Sequence, residues 1–169
     1  MKNWFHLTWL IFHKITLYTV YDRPQYYYDF FYSFTKLIPC NKCKKHYKKN
    51  IEEPNKIMQE NLNKINIFEW MIDIHNDINK EHNKKIWSYE ESYLFYEKKK
   101  FEKDHIIEFL QFYIYYNKNK NINMLIKMIY GLLNILPSEL FQNKYIDFLD
   151  KNSLNENNIE KWFLLLKDI

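Results

Sequence analysis

A single glycine, Gly131, among 169 residues narrows the folds open to this chain more than any other feature. Tight β-hairpins draw on pairs such as Asn-Gly to supply positive φ, and no such pair occurs. The apolar residues recur instead at helical spacing. Over residues 3–20, Trp9, Phe12, Ile15 or Thr16, and Tyr18 or Thr19 share a face. Pro24 opens a second helix at a position where proline is welcome, carrying Tyr27, Phe30, Phe31, Phe34 and Leu37. Pro39 ends that helix and opens a third, from Cys40 to about Ile51. Pro54 marks a connection, with a short helical turn before residue 64. Asn66 can cap a fourth helix, with Trp70, Met71, Ile74 and Ile78 on one face. Four amphipathic helices with short connections predict a small bundle, and Trp87 to Tyr96 reads as a short fifth helix.

Lys98-Lys99-Lys100 is a charge break that reads as a boundary. The expected organisation is all-α, with a bundle domain over 1–96 and a small helical domain over 97–169. In the second part Asp104 caps a segment running through Tyr116, and Tyr115 to Asn121 forms a biased polar linker. Asn121 opens a segment that Pro137 stops after Leu136. Ser138 caps another through Leu149. Asn155 to Ile169 shows Ile159, Trp162, Phe163 and Leu166 at helical spacing. No repeat emerges, and no catalytic motif follows residue 96.

Lys+Arg 25 against Asp+Glu 21 leaves a net charge of +4, too weak to argue for nucleic acid. Aromatic residues make up 20%, enough for a sizeable core. The apolar stretch from Trp4 to Tyr21 is interrupted by His6, His13 and Lys14. It has no small-residue cleavage site and no unbroken apolar run of about 18 residues, so neither a signal peptide nor a membrane span is expected. Without a secretion signal, thiols are normally kept reduced, which favours chemistry over a structural staple for any cysteine pair.

The two cysteines, Cys40 and Cys43, stand three apart in Ile38-Pro39-Cys40-Asn41-Lys42-Cys43-Lys44-Lys45-His46-Tyr47. This spacing places both in the first turn of a helix. The unpaired N–H groups there stabilise a thiolate, and Lys42, Lys44, Lys45, His46, Lys48 and Lys49 add positive charge. That environment tunes a dithiol/disulfide pair for exchange. Three plainer readings stand beside it. Buried inert cysteines seldom arrive wrapped in lysines. Half of a zinc site would use His46 with a distant histidine such as His75 or His82, but no second CxxC exists and the histidine spacings fit no standard finger. A structural disulfide across so short a loop removes little unfolded-state entropy. A thioredoxin-type exchanger requires βαβ alternation, which is absent.

The order of motifs over residues 3–96 resembles the Erv/ALR family of FAD-linked sulfhydryl oxidases. Trp9-Leu10-Ile11-Phe12-His13, with Tyr18 five residues on, is similar to the family's W-x-x-L-H; Pro39-Cys40-Asn41-Lys42-Cys43-Lys44-Lys45-His46 resembles P-C-x-x-C-x-x-H. Trp70 with His75-Asn76-Asp77-Ile78-Asn79 resembles W-x(4)-H-N-x-V-N, and Lys84 to Trp87 stands at the family's K-P-x-F segment. The departures are Phe5 where a glycine often follows the first tryptophan, Lys85 in place of the proline, and no further cysteine. Both a second structural disulfide, whose positions fall near Glu52 and on Ile72, and a shuttle disulfide are therefore absent from this chain.

The resemblance implies a four-helix flavin domain and catalysis by Cys43 as the flavin-proximal sulfur and Cys40 as the sulfur attacked by substrate. It implies FAD held among Trp9, His13, Tyr18, His46, Trp70, His75, Asn76, Asn79, Lys84 and Trp87, with no metal. Electrons from protein thiols, or from a thioredoxin-like dithiol carrier, would pass to O2 and give H2O2. A homodimer through the first two helices is expected, with Trp4, Phe5, Trp9 and Phe12 compatible with burial there. The Asn, Lys, Ile and Tyr excess, with no alanine, implies an AT-rich coding sequence as in some large DNA viruses. Host cytoplasm or virion is the compartment that follows, with the mitochondrial intermembrane space otherwise. The alternative function is a zinc- or disulfide-stabilised helical interaction protein without catalysis.

Overall fold

The computed structural model describes residues 4–18, 23–51, 67–136 and 143–168, and the described residues form helices joined by turns, with no strand among them. In chain order the helices are α1 (Trp4–Leu17), α2 (Pro24–Leu37), α3 (Asn41–Ile51), α4 (Ile67–Glu81), α5 (Tyr89–Lys98), α6 (Lys103–Asn117), α7 (Ile122–Ile135), α8 (Asn143–Lys151) and α9 (Ile159–Lys167). The all-α architecture is as expected: four helices and a short fifth, followed by further helices.

Local chemistry sets most of the ends. Pro24 sits in the first turn of α2, where its missing N–H costs nothing. Ile38, before Pro39, takes an extended ψ of 124°, so α2 stops at Leu37. Ser88 caps α5 through a reciprocal box: its hydroxyl oxygen accepts the Glu91 N–H at 3.1 Å, and Glu91 accepts the Ser88 N–H at 3.1 Å. Two starts and one linker differ from expectation. Asp104 lies inside the first turn of α6, and the His105 ring nitrogen accepts the Glu102 N–H at 3.1 Å. Asn155 to Asn158 forms a turn, in which Asn158 Oδ1 accepts the Asn155 N–H at 2.8 Å, and α9 begins only after it. The expected linker at Tyr115 to Asn121 is helix through Asn117 and then a tight turn. The expected turn before residue 64 and the caps at Asn66 and Ser138 lie outside the described residues.

Among the described residues the larger of two core clusters runs from α1 to α9 and crosses the boundary expected at residue 96. Phe12, Phe34 and Tyr113 pack edge to face in sequence, with centroids 4.7 Å and 5.1 Å apart. Thr8 and Tyr113 share a hydrogen bond of 2.9 Å between α1 and α6. Lys14, buried on α1, donates to the Glu97 carbonyl near the end of α5 at 3.2 Å.

The tightest approach is α2 against α7. A Cβ on Gly131 would stand 2.8 Å from both the Phe30 nitrogen and the Tyr26 carbonyl oxygen, so only glycine allows this backbone contact. Arg23 donates to the Asn134 carbonyl at 3.0 Å, and Asn121 to the Lys36 carbonyl at 3.5 Å. Residue numbers rise along α7 as they fall along α2, so the two helices run antiparallel. No described helix is long and apolar enough to cross a membrane.

Candidate functional site

Cys40 stands just before α3 rather than within it, and its carbonyl accepts the Lys44 N–H at 2.8 Å, the first bond of that helix. Its sulfur also accepts the Cys43 N–H at 3.2 Å. The two cysteines form a disulfide with Cα atoms 5.2 Å apart. Among the residues of α3, Cys43, Tyr47 and Ile51 recur every four positions and point inward; Tyr47 and Ile51 are buried. The Tyr47 hydroxyl donates to the Phe31 carbonyl at 2.9 Å, which ties the disulfide-bearing helix to α2.

The segment leading into the disulfide is held from behind. Pro39 leaves the last carbonyls of α2 without their usual helical donors. Asn117, buried on α6, donates to the Leu37 carbonyl at 3.2 Å and accepts from Asn121 at 3.3 Å. Two residues separate Leu37 from Cys40, and one of them is the rigid Pro39.

Cys43 lines a small cavity of about 20 Å³ together with Trp4, Phe5, Thr8, Trp9, Phe12, Ile38, Tyr47 and Ile78. Beyond Phe5 and Trp9 lies a cleft of about 530 Å³, with Leu10, His75, Asn79, Lys84, Trp87, Phe95 and Tyr96 on its walls. Phe5 and Trp9 line both spaces and so connect the sulfur to the cleft. A larger cavity of about 910 Å³ opens between the start of α1, α6 and α9. Its lining carries no cysteine or histidine, so the smaller cleft is the one with chemistry beside it.

The cleft wall is flat and aromatic. The Trp9 indole stacks on His75 with centroids 3.9 Å apart and planes 5° apart. His13 Nε2 and His75 Nδ1 share a hydrogen bond of 2.9 Å, and Tyr96 packs on His13 at 4.0 Å. Burial first, then nearby Lys84 and His6, bring the His75 pKa down to about 4. Burial and then His75 push His13 well below the usual histidine range. Both rings are therefore neutral near pH 7. Burial raises the Tyr96 hydroxyl well above the usual tyrosine range, so it stays protonated.

Of the ten residues expected to hold a cofactor, the structure brings five to the cleft: Trp9, His75, Asn79, Lys84 and Trp87. His13 sits behind His75. Asn76 pins the cleft's rim: its amide donates to the Trp87 carbonyl at 2.8 Å and its oxygen accepts the Trp87 N–H at 2.9 Å. Asn79 does similar work, donating to the Lys85 carbonyl at 3.0 Å. Asn83 makes the intervening turn at a φ of 52°, a left-handed conformation that asparagine tolerates. The other three lie apart. Tyr18 is exposed at the end of α1, Trp70 packs edge-on against Phe31 at 5.3 Å, and His46 Nδ1 lies 2.5 Å from a Glu81 carboxylate oxygen. His6, Leu10, Phe95, Tyr96, Lys99, His105 and Glu108 line the cleft unanticipated. His6 and Leu10 lie three or four residues from Trp9, His13 or each other, a spacing that was readable; the α5 and α6 residues arrive only through tertiary packing.

The residues fit a planar, anionic cofactor such as FAD. The Trp9 and His75 faces offer stacking surfaces and Lys84 offers a cation. The buried Trp9 Nε1 has no partner among the described residues and is a donor in need of an acceptor. A zinc site fares worse. No group of three or more His, Cys, Asp or Glu able to hold a metal occurs among the described residues, and both cysteines are bonded to each other.

The model of the Erv1 / Alr family matches residues 6–104, more than half the chain. A probable FAD-linked sulfhydryl oxidase of Acanthamoeba polyphaga mimivirus is 33% identical over 66 residues, which cover 39% of this chain and 46% of that protein. The chain thus spans about half the length of the curated relative it matches. No solved structure shows a significant match.

Proposed function

Because this chain belongs to the Erv1 / Alr family, we propose that it is an FAD-linked thiol oxidase that makes disulfide bonds in client proteins. The observation that carries the reading is the shared lining: Trp9 and Phe5 border both the small cavity that Cys43 reaches and the aromatic cleft, so the two spaces adjoin. Trp9, His75 and Trp87 would hold the flat parts of FAD, and Lys84 its pyrophosphate.

A client thiolate attacks the Cys40 sulfur, forming a mixed disulfide and releasing Cys43 as a thiolate. The start of α3 and its lysines stabilise that charge. A second client thiol then attacks the client's own sulfur in the mixed disulfide and frees Cys40. Two client thiols have become one disulfide, and Cys40 and Cys43 hold the two electrons. When bound, FAD supplies a two-electron acceptor whose reoxidation by O2 gives H2O2. Neutral His13 and His75 keep the cleft free of imidazolium charge near pH 7.

The viral source of the relative supports action in the host cytoplasm or virion. Clients are protein thiols or a thioredoxin-like carrier. Residues 97–169 act here as cover for the flavin domain, since α7 lies along α2. A homodimer would therefore need a surface other than the α2 face that α7 occupies.

The purified protein should carry about one flavin per chain and oxidise a dithiol while consuming oxygen. Cys43→Ser should bind flavin but leave it unreduced by dithiol. A colourless protein, or full activity in Cys43→Ser, would overturn the proposal.

A further inference from the structure

Lysine is 24 of the 169 residues, roughly one in seven, yet it is 5 of the 11 in α3. The other described helices that carry more than one charged side chain mix lysine with acids, whereas α3 holds no acid at all. Its lysines are also placed. Cys43, Tyr47 and Ile51 form the inward stripe, and Lys42, Lys45 and Lys49 fall on the opposite stripe at i, i+3 and i+7, all three exposed. Glu81 on α4 is engaged with His46.

A lysine stripe on a surface helix is ordinarily just solvated charge. Here it rims the disulfide, begins at the positive end of the helix dipole, and lacks the interspersed acids found on the other charged helices. Fields of this kind steer partners of opposite charge and raise encounter rates. Resting on the oxidase reading above, we propose that the outer face of α3 is the client-docking surface and selects protein segments whose cysteines are flanked by acidic residues. The acidic flanks bring the client thiolate to Cys40. The exchange itself balances within the two partners: two client thiols lose two electrons and two protons, and the Cys40–Cys43 bond takes them up to give two thiols.

The test follows that exchange alone, so it needs no flavin turnover. Reduced peptides with a cysteine pair flanked by glutamates or by lysines are mixed with the oxidised protein. Reduction of Cys40–Cys43 is read by alkylation and mass. The glutamate-flanked peptide should react about tenfold faster at low salt, and the ratio should approach unity at about 0.5 M salt. Lys42→Glu with Lys45→Glu should abolish or invert the preference, while Lys98→Glu with Lys161→Glu, on α5 and α9, should preserve it. Circular dichroism confirms that both variants are folded. A ratio near unity in the unaltered protein, or one that survives reversal on α3, overturns the docking surface. If oxidase activity fails while the ratio behaves as stated, the oxidase reading falls and the docking surface stands.

Discussion

His75 and His13 are where a single atom's environment has the clearest measurable consequence. In the unfolded chain each takes a proton as pH falls through about 6.5, whereas in the fold His75 resists protonation until about 4 and His13 is likewise depressed. Between those limits the unfolded state binds more protons, so stability must fall as pH falls. The melting temperature should drop from pH 7 to about 4.5, and His75→Asn should flatten that slope; a flat profile in the unaltered protein would contradict the burial of these rings. Asn76 offers a second residue-scale test. Asn76→Ala leaves both polar groups of the Trp87 backbone without their partner and should cost about 1–3 kcal/mol, read by denaturant titration. Residues 84–88 should exchange their amide hydrogens faster. Where motif and helical face coincide, the fold brings the expected residues to the cleft or its edge, as for Trp9, His75 and the CxxC. Tyr18, His46 and Trp70 lie apart from the cleft, because spacing says which residues share a face but not which neighbour that face meets. Tyr18 falls past the last packed turn, and the side chain of Trp70 meets α2 instead of the cleft.

Among elements, α2 is the hub, gripped by α3 on one side and α7 on the other. Its contact with α7 is governed by Gly131, the residue whose rarity first pointed to an all-helical chain. Gly131→Ala would press a methyl group into the backbone of Tyr26 and Phe30, which cannot yield as a side-chain tip can. The expected loss is about 1–3 kcal/mol, despite the better helix propensity of alanine; an unchanged or raised melting temperature would show that α7 does not lie against α2 this closely. Proline made the start of α2 legible, whereas α5 begins at Tyr89, two residues after the expected Trp87, because Ser88 caps it. The start of α9 was misplaced because four residues of asparagine-rich turn look, one by one, like a plausible helix cap. Nothing local announces that α7 pairs antiparallel with α2, since that register depends on Arg23, Asn117 and Asn121 meeting carbonyls about 80 to 111 positions away in sequence.

At the scale of the whole molecule, the core shared by α1, α2, α6 and α7 argues that the chain folds as a unit. A fragment ending at residue 98 would expose Phe30, Phe34 and the α2 face that α7 covers. It should lose its cooperative melting transition, and a fragment that melts like the full chain would contradict this. The charge break at Lys98 to Lys100 reads as a domain boundary from composition, which records solvated surface and not what packs on either side of it, and the melting of that fragment tests it.

The central claim is that the Cys43 sulfur lies against a flavin bound in the cleft behind Trp9. The most direct measurement is the absorption spectrum of flavin-loaded Cys40→Ser, in which Cys43 is left as an unpaired thiol. A thiolate in contact with oxidised flavin adds a broad long-wavelength charge-transfer band, which should rise as Cys43 ionises and vanish in Cys40→Ser with Cys43→Ser. A flavin spectrum identical in the two variants across that titration would contradict it.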